Sequence, residues 1–220
     1  LLKALKEELD ELAAKSKQVR NFCRRILNSE RYDGNVVLMV VDSAITSVGV
    51  NYFSVVVPRV LEFKERFVDT EKITSLIDLL RADRSLLFSI WRNRRSWDVA
   101  LGVARTLLDY GDGPSALRRW AKKAELSSWR DHLNVKGAGI NTFQYLRMMG
   151  GVDTVMPDRI VRRFISRHVN APSNDLEFIE FAEKIAEKLG YKSVELCWLS
   201  WLSAYDDAKI EKYSALLKKI

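Results

Sequence analysis

Apolar residues recur along the chain at spacings of three and four, with charged residues between them, in nearly every segment long enough to show a period. Residues 1–27 carry Leu2, Leu5, Leu9, Leu12, Ala13, Val19, Phe22 and Ile26 in such a register. "ERYDGN" then breaks the pattern, with Asp33-Gly34 as a turn signal. Residues 36–50 are β-branched and almost unbroken, which suits a buried strand or a buried helix. They exceed an ordinary strand in length and no comparable segment exists to pair with them, so a helix is predicted. Residues 56–67 are helical in period, with Pro58 near the first turn. Asp69 or Thr70 is the expected N-cap of "EKITSLIDLLRA", and Ser96 or Asp98 the start of "SWDVALGVARTLLDY". Pro114-Ser115 opens "ALRRWAKKAEL", and "SSW" opens another short helix. "DRIVRRFISRH", "DLEFIEFAEKIAEKLG" with its terminal Gly190, and "SVELCWLSWLSAY" complete the set. The pattern predicts an all-α chain of roughly nine to eleven helices, without strands or internal repeats.

Composition narrows the class. Hydrophobic residues make up 47% and charged residues 30% of the 220, a globular balance with enough chain for one large domain or two small lobes. No apolar run approaches the ~20 residues of a membrane span, and the opening residues do not read as a secretory leader, so no membrane partner is expected. Two cysteines, Cys23 and Cys197, are too few for a disulfide framework, a four-cysteine zinc site or an iron–sulfur cluster. His132 and His168 are not at metal-ligand spacing, so an intracellular, metal-free protein is expected. Lys and Arg number 36 against 29 Asp and Glu, a net +7 that favours an anionic partner. The basic clusters fall in the middle of the chain, in "RADRSLLFSIWRNRR", "ALRRWAKKAELSSWR" and "DRIVRRFISRH".

Two short features carry chemistry. Gly137-Ala138-Gly139 joins one predicted helix to the next, and glycine inside helical sequence costs about 1 kcal/mol relative to alanine. Alone, the turn reads as a plain helix–helix connection or as an anion site built from bare backbone amides and a helix N-terminus. Asp158, between Pro157 and a helix bearing Arg159, Arg162 and Arg163, reads alone as an N-cap or as a carboxylate facing a cationic groove.

Together, "LNVKGAGINTFQYLRMMGGVDTVMPDRIVRRFI" resembles the helix-hairpin-helix DNA glycosylase superfamily. In that family an L-P-G-V-G-x-K-T-A-type hairpin precedes a catalytic Asp; Gly137, Gly139 and Thr142 match the hairpin, and Asp158 matches the Asp at nearly the family's interval. "LMVVDSAITSVGVNY" is similar to the family's early helix through Ser43, Thr46, Val50 and Asn51, and "NRRSWDVALGVARTLLDYGDG" to its middle segment. "KGxG…DR" looks like the archaeal 8-oxoguanine glycosylase branch, whereas Thr142 and Tyr145 look like the alkylation-repair branch.

The resemblance implies two helical lobes, one from residues 1–57 and 147–220 and one from 58–146, with the hairpin at about 126–150 and a cleft between them. It implies a monomer that binds double-stranded DNA, flips out a damaged base and hydrolyses its N-glycosidic bond, with Asp158 as the catalytic carboxylate. Tyr145, Asn141, Trp198, Trp201 and Tyr52 are the expected base-pocket residues, although the two tryptophans fit a core stripe equally well. Lys136, Gly137, Ala138, Gly139, Thr142, Arg159, Arg162 and Arg163 are the expected phosphate contacts; Arg92, Arg94 and Arg95 fit that role or a solvated helix end. No cofactor or resident metal is implied, a monovalent cation at the DNA-bound hairpin being the one option. The place of action would be the nucleoid of a prokaryotic cytoplasm or a eukaryotic nucleus.

The departures from the family are informative. Asn141 stands where bifunctional members carry the lysine that attacks the sugar, and an amide cannot form a Schiff base, so strand-cutting lyase activity is not expected. Lys136 replaces the hairpin proline, Ala44 the early helix's glutamine, and the cluster-binding cysteines of the endonuclease III branch are absent. A DNA-binding relative without catalysis, and an all-α interaction protein with a structural glycine turn, are the competing readings.

Overall fold

The computed structural model describes residues 2–220; Leu1, the first position of the opening pattern, lies outside them. Fourteen α-helices follow in chain order among the described residues: α1 (Leu2–Lys15), α2 (Gln18–Leu27), α3 (Val36–Thr46), α4 (Val57–Phe63), α5 (Leu76–Arg81), α6 (Arg84–Ile90) and α7 (Arg94–Leu108) come first. Then come α8 (Ala116–Lys123), α9 (Trp129–His132), α10 (Ile140–Met149), α11 (Arg159–Ser166), α12 (Asp175–Leu189), α13 (Ser193–Leu202) and α14 (Asp207–Leu216). There is no strand among the described residues, as the periodicity requires.

The two helices without a polar face become the centre. Every residue of α13 is buried, and α3 buries ten residues from Val36 to Ile45. A helix apolar all round has no stable place except inside other helices. Accordingly α13 is flanked by α1, α2, α11 and α12, while α3 packs against α7, α10 and α4. None of the helices described is long and apolar enough to cross a membrane.

Several boundaries differ from the sequence expectation for local reasons. The 1–27 pattern is two helices, because Ser16 turns its hydroxyl onto the Leu12 carbonyl and Lys17 restarts the chain. The segment at 36–50 is helical only to Thr46. Neither Asp69 nor Thr70 caps α5; Ser75 does, in a reciprocal capping box with Asp78. Asn93 rather than Ser96 or Asp98 caps α7, accepting from the Ser96 amide. α4 continues at both ends into π-helical turns, Tyr52–Val56 and Lys64–Val68, so residues 52–68 form one rod with Pro58 near the start of its α-helical part.

Candidate functional site

The glycine turn is built onto α7. A Cβ on Gly102 of α7 would lie 2.4 Å from Val135 Cγ1, so the absence of that atom lets the turn seat against the helix. Gly137 has φ +93°, and a Cβ there would meet Val99 at 3.1 Å and the Arg95 side chain at 3.4 Å. The positive φ and the close approach to Val99 both favour glycine here. Gly139 differs: its φ is −100° and a Cβ would meet nothing within 4 Å. It presents bare backbone to open space. The first helical bond of α10 runs from the Phe143 amide to the Gly139 carbonyl, so the amides of Ile140, Asn141 and Thr142 have no carbonyl partner. The preceding helix of the hairpin, α9, is a short one of four residues.

α10 also holds the chain leading to Asp158. Gln144 donates to Thr154 Oγ1 at 2.5 Å and to the Val155 carbonyl at 2.9 Å, and accepts from Arg147 Nη1 at 2.7 Å. Thr154 in turn donates to Glu183 at 2.7 Å. This buried staple, which the sequence did not reveal, joins the hairpin's second helix to the segment before α11.

Asp158 is the N-cap of α11. Its Oδ1 accepts from the amides of Ile160 at 2.7 Å and Val161 at 2.9 Å, and its Oδ2 accepts from the Trp201 indole N–H. Burial raises its pKa above the ordinary aspartate range, against the lowering effect of the Val161 amide and the Trp201 indole. A carboxylate with three fixed donors still has about one of its four lone-pair sites open.

Asp158 lines a cleft of about 770 Å³ that also contains Gly137, Gly139, Asn141, Thr142, Tyr145, Tyr52 and Trp201. The hairpin turn and the carboxylate therefore face one space. Tyr52, Tyr145 and Trp201 form an aromatic wall, with Tyr52 to Trp201 centroids 5.4 Å apart and Tyr145 to Trp201 6.3 Å apart. Burial pushes the phenols of Tyr52 and Tyr145 well above their usual range. The half-buried Tyr205, whose hydroxyl accepts from the Asn51 amide at 3.1 Å, completes the mouth. Sequence reading passed over Tyr205 because it lies in a short turn between α13 and α14, with no periodic neighbour to mark it.

Two expected site residues lie elsewhere. Trp198, 1% exposed, is not a cleft residue; it packs edge-on against Phe22 at 4.7 Å in the core. Arg162 is not free for a phosphate: it donates to the carbonyls of Pro157 and Pro172, pairs with Asp175, and covers the Phe178 ring at 4.2 Å. It clasps α11 to α12. Arg159 and Arg95 line the cleft, while Arg163 and Lys136 are exposed outside its lining. Arg94 points to Asp98 instead, at 3.7 Å. Ala44 and its neighbour Ile45 are fully buried, so this turn of α3 sends no side chain of a glutamine's kind toward the cleft; Ser43, Thr46 and Ser47 line it instead. Cys23 and Cys197 are buried free thiols, and no three His, Cys, Asp or Glu side chains among the described residues form a metal-holding group.

Comparison with known proteins agrees with the helical architecture. Residues 100–204 match the family described as a domain of unknown function, DUF8548. No curated protein matches the chain. Among solved structures, the crystal structure of the 8-oxoguanine DNA glycosylase of Thermotoga maritima is similar, with a TM-score of 0.62. The match covers 92% of this chain and 97% of that one at 17% sequence identity. The chain shares the fold of a helical DNA glycosylase.

Proposed function

We propose that this chain is a base-excision DNA glycosylase that removes a damaged base from duplex DNA by hydrolysis, without cutting the strand. The carrying observation is that Asp158 and the bare Gly137–Gly139 turn open onto one aromatic-walled cleft. The amides of Ile140, Asn141 and Thr142, with Lys136 and Arg159, would hold phosphates and fix the register of the duplex. Ala138 contributes only its backbone to that turn, and Arg163 is exposed on α11 for a more peripheral contact. A nucleotide extruded into the cleft costs a few kcal/mol, least when its base is damaged or mispaired. Departure of the base leaves positive charge on the sugar, which the Asp158 carboxylate stabilises through space. Its remaining lone pair can orient a water and take the proton as that water attacks.

Asn141 lies in the cleft and no lysine lines it, which supports water rather than an amine as the nucleophile. We take the residue 1–57 and 147–220 segments as one lobe and 58–146 as the other, acting as a monomer. The test uses a panel of duplexes, each with one alkylated, oxidised or deaminated base. The expected product is an abasic site that breaks only on alkaline treatment, with no borohydride-trapped protein–DNA adduct. Failure to excise any lesion overturns the reading, and a trapped adduct overturns its hydrolytic half.

Gly139 offers a sharper check of the phosphate grip. Gly139→Val places a side chain where nothing lies within 4 Å, at a φ that valine tolerates. Thermal stability should hold, while duplex affinity falls by about tenfold or more because the side chain displaces the phosphate. Equal affinity of the two proteins in a titration would remove the turn from the interface.

A further inference from the structure

Behind the aromatic wall lies a charged cluster that the hydrolytic chemistry above does not use. Arg31 and Asp42 are both 0% exposed and pair at 2.8 Å. Arg31 Nη1 donates to the Tyr145 hydroxyl at 2.6 Å; Nη2 donates to the Tyr52 hydroxyl at 2.6 Å and the Tyr32 hydroxyl at 3.2 Å. Asp42 Oδ2 accepts from Tyr32 at 2.5 Å and from Tyr52 at 3.0 Å, while its Oδ1 accepts from Thr46 at 3.2 Å. The Tyr145 proton is directed to the Tyr52 oxygen at 3.2 Å. Three of these partners, Tyr52, Tyr145 and Thr46, line the cleft, and they come from three separate elements.

We propose that Arg31 and Asp42 are positioning residues of the base pocket, which lock the hydroxyls of Tyr52 and Tyr145 away from the cleft and leave only their rings to meet the extruded base. The inference rests on the glycosylase reading and says how its pocket selects. The Tyr52 oxygen accepts from Arg31 and from Tyr145 while its proton goes to Asp42, and the Tyr145 proton goes to Tyr52, so neither phenol has a proton left to donate to a base edge. Recognition by these two residues is then by ring surface and shape, and polar discrimination falls to groups such as the exposed Asn141 amide. Two further observations argue that the cluster is more than core filler. A buried ion pair is commonly replaceable by apolar residues of similar volume without loss of stability, so the fold alone does not require one. Moreover, Arg31 is delivered by backbone in which Ser29, Tyr32 and Asp33 all have positive φ, at 59°, 51° and 56°. Strain of that kind persists only where surrounding contacts enforce it, and it concentrates around functional sites.

The experiment compares wild type with Arg31→Met/Asp42→Leu, which removes both charges together, and with Tyr52→Phe/Tyr145→Phe, which keeps the rings and the ion pair. Each is measured for thermal unfolding, for affinity toward a duplex bearing a tetrahydrofuran abasic analogue, and for single-turnover excision on whichever lesion the wild type removes. Both variants should fold and hold the abasic duplex about as well as wild type, because the hairpin grip is untouched. Their excision rates should fall by about tenfold or more, and combining all four changes should cost little beyond either pair, since the groups act as one unit. Should the charge-free variant not fold, the phenylalanine variant reads the same prediction. A folded variant that excises at the wild-type rate overturns the positioning role while leaving the glycosylase reading intact. A wild type inactive on every lesion overturns that reading and this inference with it.

Discussion

Asp158→Asn should lower base excision by about 10²–10⁴-fold while leaving the fold and the affinity for duplex DNA close to wild type. Asparagine is as good an N-cap as aspartate, so the Ile160 and Val161 amides keep their acceptor. What disappears is the oxygen that accepts from Trp201 and, on the glycosylase reading, the negative charge that would face the sugar. Single-turnover excision and a binding titration on the same protein separate the two effects. Excision within a few-fold of wild type would show that Asp158 is only a cap.

The same carboxylate predicts the acid side of the rate profile. Because burial raises its pKa, activity should decline with falling pH earlier than an ordinary aspartate would dictate. Its effect on stability has the opposite sense. With the folded pKa above the unfolded one, the folded state holds the extra proton between the two values, so stability falls as pH rises through that window. Asp158→Asn should abolish both dependences. Parallel rate and denaturation series across acidic pH test the pair of statements.

The largest stability effect should come from Asp42→Leu, at about 3–5 kcal/mol. This change leaves the Arg31 guanidinium fully buried without its counter-ion, and the Arg31 Nε already lacks a partner. Tyr32 and Tyr52 lose their shared acceptor as well. Restoring neutrality by adding Arg31→Met should recover most of the loss, because the cost lies in an uncompensated charge rather than in a missing contact. Urea denaturation of the three proteins measures it. A double variant as unstable as Asp42→Leu would place the damage in packing instead.

These two residues also show where sequence reading succeeds and where it stops. The place of Asp158, capping a helix and lining the cleft, was legible because its signal is local: a proline before it, a basic helix after it, and a glycine turn at a recognisable interval. The all-α class was legible from period, and so was the burial of α3, because an unbroken apolar run needs only its own length to be interpreted. Arg31 was not legible. It sits in what looks like a polar surface turn, and its partners lie 11, 21 and 114 residues away. Nothing in the local pattern distinguishes a solvated arginine from one enclosed by three tyrosines. Trp198 and Trp201 pose the same difficulty on a smaller scale. Both belong to a helix buried on every side, so hydrophobic phase cannot say which ring reaches the cleft; helix packing decides that Trp201 does. Arg162 misled for a related reason, since a guanidinium free to meet an anion and one that ties two helices together have identical sequence neighbours.

The Gln144 staple has a metric consequence. Since one side chain on the hairpin helix fastens the segment that ends in Asp158, the spacing between the bare amides and the carboxylate is held by hydrogen bonds within the fold. On the glycosylase reading the protein works as a ruler laid along one DNA strand. Its two marks decide which sugar can be attacked before any base has been inspected, and identity is judged only at the single position the ruler permits.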